Sequence, residues 1–235
     1  MTIQGQPYPN GRNQESSSEA IAAYESVALF GQSFVDIYKQ SADPAEMALL
    51  DTATRIREMG RLLLATEIRS AKTYWHVQKA GTSGVFRVYP RGYEPKVVGM
   101  IWSMLAQQQT WFGNEPWKSY GIQLMPLTPA AEQRDAPSWV QEMLPLFKES
   151  CFADPQCVEQ GWSISIYACM AELGQWREAN EHVHQLDPAV FESAGGNGHS
   201  LSNTLWYIGT RPEPTAEDFA MGNGYTSVRQ YGDYY

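Results

Sequence analysis

Basic residues are scarce in this chain. Seventeen Lys and Arg face 26 Asp and Glu, which leaves a net charge of −9 and a pI near 4.9. So acidic a chain repels nucleic-acid phosphates and anionic membrane surfaces, and neither is expected as a principal partner. Long apolar runs are missing too; none approaches the ~20 residues of a membrane-spanning helix. Residues 1–11 have neither the basic start nor the apolar centre of a signal peptide. Cysteine is sparse: Cys151, Cys157 and Cys169 are too few for a disulfide scaffold or a four-cysteine zinc site. Cys151 and Cys157 flank a short loop holding Asp154-Pro155, so they either pair locally or remain reduced thiols. No Asn-x-Ser/Thr acceptor for N-glycosylation occurs. Charged residues make up 18% of the chain, against ~25% in typical soluble domains. The mean hydropathy is nevertheless −0.41, so uncharged polar residues and tyrosine supply the polarity.

Aromatic side chains and helical periodicity are abundant. Eight Trp, 13 Tyr and 8 Phe in 235 residues exclude intrinsic disorder, and the length suits one domain with a large core. From Ser16, the residues Ala20, Tyr24, Val27, Ala28, Gly31, Phe34, Val35 and Tyr38 recur at steps of three and four, which predicts a helix of about six turns. Ser16 to Glu19 fits a capping box at its start. A second helix, antiparallel to the first, is predicted over 43–72, with Asp43 as cap and Pro44 at its first position. Further helices are expected at 97–109, 138–149, 161–173 and 176–186, with a short last one ending near Ile208. Residues 85–89 suit a strand or an extended loop, and 110–137 reads as loop-rich. The fold class is therefore all-α, made of helical hairpins joined by alternating short and long loops. Three regions are expected: an irregular lead over 1–12, a helical domain over 13–212, and a polar, aromatic tail over 213–235.

The candidate chemistry begins at Glu15 and Glu19. If the helix extends back to Glu15, the two lie four residues apart on one face, where repulsion can raise one pKa; if it starts at Ser16, Glu15 sits just before the cap and can point into a cleft. A carboxylate pair is what acid/base hydrolysis of a glycosidic bond requires. A capping role for Glu19 and a favourable macrodipole for Glu15 explain the same residues without catalysis. Glu67 falls on the apolar stripe of the second helix, which demands a partner and reads as structural. His76 and His199 read as structural, and His182 with His184 does not suit a metal on a helix. Trp111-Phe112, Trp117, Tyr120, Tyr89 and Tyr93 crowd one region with Tyr74, Trp75 and Trp102, where rings on loops suit stacking on sugars.

The segment Asn13-Gln14-Glu15-Ser16-Ser17-Ser18-Glu19-Ala20 resembles the signature of glycoside hydrolase family 81, the endo-β-1,3-glucanases. The resemblance continues through Leu64-Ala65-Thr66-Glu67-Ile68, Thr73-Tyr74-Trp75 and Val98-Gly99-Met100-Ile101-Trp102-Ser103. It runs on through Tyr120 to Pro129 and Leu205-Trp206-Tyr207-Ile208, in the family's order. It implies part of an (α/α)6 toroid that inverts internal β-1,3-glucosidic bonds with no metal or other cofactor. Glu15 matches the catalytic base and Glu19 a supporting glutamate. Asn13, Gln14, Tyr74, Trp75 and Trp102 are the expected substrate-binding residues, and β-1,3-glucan the expected partner. The family's general acid belongs to an Asp-His-His-Phe-His-Tyr-Gly segment that this sequence lacks. The chain is thus expected to be the C-terminal half of a catalytic domain, inactive alone, its N-terminal half being a further partner; the alternative is a non-catalytic β-glucan-binding fragment or pseudoenzyme that keeps the aromatic residues and lacks the acid. An extracellular or cell-wall location is expected for the full-length protein.

Overall fold

The computed structural model describes residues 2–3, 6–7, 9–79, 87–194 and 197–220. A two-stranded ribbon, β1 (Thr2–Ile3) and β2 (Gln6–Pro7), precedes β3 (Asn13–Gln14), which leads directly into α1 (Ser17–Gln40). Ser16 caps α1, its hydroxyl accepting the Glu19 N–H at 3.1 Å, as the serine half of a capping box requires. The second helix is interrupted. Asp43 caps α2 (Pro44–Met47), a turn follows, and α3 (Leu50–Ser70) continues into a π-helical turn at Ala71–Trp75.

α1 and α3 form an antiparallel hairpin whose seam is made of small residues. A Cβ on Gly31 would strike the Arg57 backbone, and one on Gly60 the Ala28 backbone. This close approach selects the buried face of α1: Ile21, Glu25, Ala28, Gly31 and Val35 are buried. Val27, which belongs to the expected apolar stripe, is 38% exposed. Bulky rings would hold the backbones apart, so Tyr24, Phe34 and Tyr38 lie beside the seam, partly covered.

The helix expected over 97–109 is instead a hairpin, β4 (Met100–Trp102) and β5 (Ala106–Gln107), with β4 in the middle of a sheet ordered β3-β4-β5. Val97, Val98 and Ile101 are β-branched, and burial alternates along Met100, Ile101 and Trp102, so strand preference prevails over the helical spacing. Residues 80–86 lie outside the described set, and no strand forms over 87–89.

The expected loop over 110–137 contains α4 (Pro116–Ile122) and α5 (Ala131–Arg134). Next come α6 (Pro137–Phe152), α7 (Pro155–Glu159), α8 (Ser163–Glu172), α9 (Trp176–Gln185), α10 (Pro188–Ala194) and α11 (Leu201–Thr210). Every residue of α8 is buried, which makes it the central helix of the C-terminal region. Trp117, Trp139, Met143, Phe147, Ile166 and Met170 belong to the principal core cluster around it. Cys151 and Cys157 form a disulfide joining the end of α6 to α7, and Cys169 is free and buried. The tail is not wholly irregular: α12 (Ala216–Ala220) packs on α6 with Asp218 buried, while 221–235 lie outside the described residues. The fold is all-α; beside the β1–β2 ribbon, the described residues hold a three-stranded sheet placed where the first helix begins. No helix among the described residues is long and apolar enough to cross a membrane.

Candidate active site

The site is built where β3 hands over to α1. β3 pairs antiparallel with β4, Asn13 opposite Trp102 and Gln14 opposite Ile101. This pairing fixes the chain immediately before Glu15. Asn13 Nδ2 meets Met100 Sδ at 3.1 Å, and Gln14 Nε2 donates to Glu67 Oε1 at 3.2 Å. The antiparallel hairpin explains the second contact, because it returns the C-terminal end of α3 to the start of α1.

Glu15 precedes the Ser16 cap, half-buried, and Glu19 follows in the first turn, exposed. Glu15 Oε1 accepts the backbone N–H of Trp111 at 2.6 Å. Burial raises the Glu15 carboxyl above its ordinary 4.5; the Trp111 N–H pulls it back in part, and the Glu19 charge pushes it up further. The pair thus behaves as the spacing implies, although burial contributes more than mutual repulsion. Burial likewise raises Glu67, opposed by its bond from Gln14. Glu67 therefore serves more than hairpin packing: it holds the residue next to Glu15. The spacing of the apolar stripe hid this, and the short antiparallel connection is the signal that could have revealed it.

The aromatic residues divide by burial. Tyr74 is 48% exposed, Trp111 44% and Phe112 49%. Trp111 lies edge-on to Trp102, 5.6 Å between ring centroids. Trp102 is 8% exposed and donates its indole N–H to Gln107 Oε1 at 2.8 Å, so it supports the surface ring more than it forms surface. Trp75 corrects an expectation. At 1% exposure among Val77 and Val98, it has no face left for a sugar and belongs to the core. Trp111, whose main chain holds Glu15 while its ring faces outward, takes its place among the candidate binding residues.

His76 and His199 both lie in the interior. His76 is buried and stacked on Trp139 at 3.6 Å, held well below its ordinary pKa by burial and by the Arg134 and Lys72 charges. His199 is buried with Nε2 3.3 Å from the Ser165 hydroxyl. No group of three or more metal-binding side chains occurs among the described residues. A cavity of about 630 Å3 lined by Trp117, Tyr120, Glu115, Glu149 and Asp154 contains none of Glu15, Glu19 and Glu67. Glu15 and Glu19 are electrostatic neighbours, and Glu67 reaches the site through Gln14.

Residues 6–208 match the Glycosyl hydrolase family 81 C-terminal domain. The chain belongs to glycosyl hydrolase family 81. Three relatives are each named glucan endo-1,3-beta-D-glucosidase. The one from Glycine max is 31% identical over 211 residues, covering 88% of this chain and 27% of the relative. That from Thermobifida fusca is 31% identical over 121 residues, covering 52% and 13%. That from Acetivibrio thermocellus is 25% identical over 224 residues, covering 91% and 24%. The family 81 chain thus spans about a quarter of the length of the first of these relatives.

Proposed function

We propose that this family 81 chain carries the catalytic base of an inverting endo-β-1,3-glucanase, with Glu15 as that base. The observation that carries the proposal is the half-buried Glu15 carboxylate, raised in pKa and held by the Trp111 N–H beside an exposed Trp ring. In the inverting scheme Glu15 takes a proton from water, and that water attacks the anomeric carbon as the glycosidic bond breaks. Glu19 adds negative charge that keeps Glu15 basic. Trp111 and Tyr74 offer ring faces to glucose units, and Asn13 and Gln14 present amides to hydroxyls.

A leaving-group oxygen needs a proton from a second carboxyl group ~6.5–9.5 Å from the base. We place that acid, with the rest of an (α/α)6 toroid, in chain outside these 235 residues. The outer face of the α1–α3 hairpin suits such a neighbour, because Phe30, Ile37, Met59 and Leu62 are each more than half exposed there. The disulfide between Cys151 and Cys157 suits the oxidising, extracellular or cell-wall setting that we propose for the whole enzyme.

Reducing-end release from a linear β-1,3-glucan tests the assignment. The expected result is no release by the 235-residue chain alone, release when it is joined to an acid-bearing family segment, and loss of that release in Glu15→Gln. Full activity in joined Glu15→Gln overturns the base; release by the chain alone overturns the outside acid.

A further inference from the structure

The carbonyl and backbone on either side of Glu15 are held by one side chain far away in sequence. Gln123 follows α4 and is wholly buried. Its carboxamide works at both ends. Nε2 donates to the Glu15 carbonyl at 2.5 Å, while Oε1 accepts the Ser17 N–H at 3.2 Å and the Ser17 hydroxyl at 2.8 Å. One planar group thus spans the residue before the helix cap and the residue after it. The serines answer in the other direction. Ser16 and Ser18 donate to the Ile122 carbonyl at 3.3 and 2.7 Å, and Ser18 also donates to the Met125 carbonyl. Serine hydroxyls at the start of α1 thus serve the carbonyl of Ile122, the last residue of α4, and that of Met125 beyond it, while the Gln123 amide oxygen takes the Ser17 N–H.

We infer that Gln123 is the positioning residue of this site: its amide fixes the backbone at Glu15 so that the carboxylate meets the Trp111 N–H. The inference rests on the proposal that Glu15 is the base. The chemistry of the place is restrictive, because it needs a donor for a carbonyl and an acceptor for an N–H and a hydroxyl on one buried head group. Glutamate supplies acceptors only when ionised, lysine supplies donors only, and asparagine supplies both but is one methylene shorter. Ser17 is in this view the anchor for the amide oxygen, which gives the run Ser16-Ser17-Ser18 three distinct tasks: cap, anchor and clasp. A base displaced by ~1 Å loses on the order of a hundredfold in rate, so a group that sets its backbone is as consequential as one that touches water.

Amide NMR of the 235-residue chain tests this. The Trp111 N–H proton lies on the Glu15 carboxylate, so its shift follows the Glu15 titration. Gln123→Met keeps the length and burial of the side chain and removes both hydrogen-bonding atoms. The expected result is at least a halving of the pH-dependent shift at Trp111, with the helical circular dichroism unchanged. A folded Gln123→Met chain with the full wild-type shift overturns the inference. Where Gln123→Met fails to fold, Ser17→Ala decides, since it removes only the hydroxyl that anchors the amide. A reduced Trp111 shift in that variant supports the inference and an unaltered one overturns it. Sugar binding is not read in this experiment. A chain that fails to bind β-1,3-gluco-oligosaccharides while Gln123→Met still uncouples Trp111 from Glu15 supports the positioning role and overturns the glucanase proposal.

Discussion

Glu15 is kept at a cost to the fold, and this gives it a pH signature. Burial raises its folded pKa above 4.5. The folded state therefore binds the proton more tightly than the unfolded state, and Glu15 lowers stability as pH rises from about 4.5 through its raised value. The expected consequence is that Glu15→Gln melts higher than the wild type at pH 7, with the difference vanishing toward pH 4, as calorimetry across that range would show. Trp111→Ala is expected to weaken β-1,3-oligosaccharide binding about tenfold by calorimetric titration, the loss of one aromatic platform. At this scale the helix start was legible in the sequence, because the capping pattern at Ser16 to Glu19 sets Glu15 just before the cap and Glu19 in the first turn by local geometry. Gln123 was not legible, and for Glu67 the need of a partner was legible but not which residue supplies it. Their roles depend on contacts across 108 and 53 residues, and no local pattern marks a glutamine as a clasp. Trp75 misled for a related reason: nothing beside a tryptophan in sequence tells which neighbours will cover it.

Among the elements, the α1–α3 hairpin is held by close approach at Gly31 and Gly60. Gly60→Ala gains helix propensity worth ~1 kcal/mol, but its methyl group meets the Ala28 backbone, which has no rotamer to yield. A net loss of about 2 kcal/mol is expected, seen as a fall of roughly 4–8 °C in Tm. Because α3 returns Glu67 to Gln14, the same change should also weaken oligosaccharide binding. The long helices were legible from periodicity and caps, for Ser16 and Asp43 each accept the N–H their position predicts. The β4–β5 hairpin was not. Its strands are three and two residues long, too short for a period of two to outweigh apolar residues that also fit a helix. The disulfide between α6 and α7 closes a short loop, and reduction is expected to cost about 2 kcal/mol of stability, measurable as a lower Tm under reductant.

The whole molecule carries an acid limb to which two buried imidazoles, His76 and His199, contribute. His199 is brought down to about 4 by burial and by the Arg134 charge, from an ordinary 6.5. It stays neutral in the folded chain while the unfolded chain takes up a proton, so stability falls as pH drops from about 6.5 to about 4. The size is on the order of 3 kcal/mol at about 1.4 kcal/mol per unit. His199→Gln should make that limb shallower in urea titrations, with His76 carrying the remainder, without altering the trend that Glu15 imposes near its own pKa. At this scale the sequence indicated an all-α chain of hairpins and a family, while the contact by which α3 brings Glu67 to Gln14 required coordinates. The most direct test of the proposed glucan site is a titration of the 15N-labelled chain with a β-1,3-gluco-hexasaccharide. The expected result is saturable shifts concentrated at Trp111, Glu15, Gln14 and Tyr74, with no response to the β-1,4-linked hexasaccharide. Absence of binding, or shifts confined to the Trp117–Tyr120 cavity, would contradict a glucan site built on Glu15.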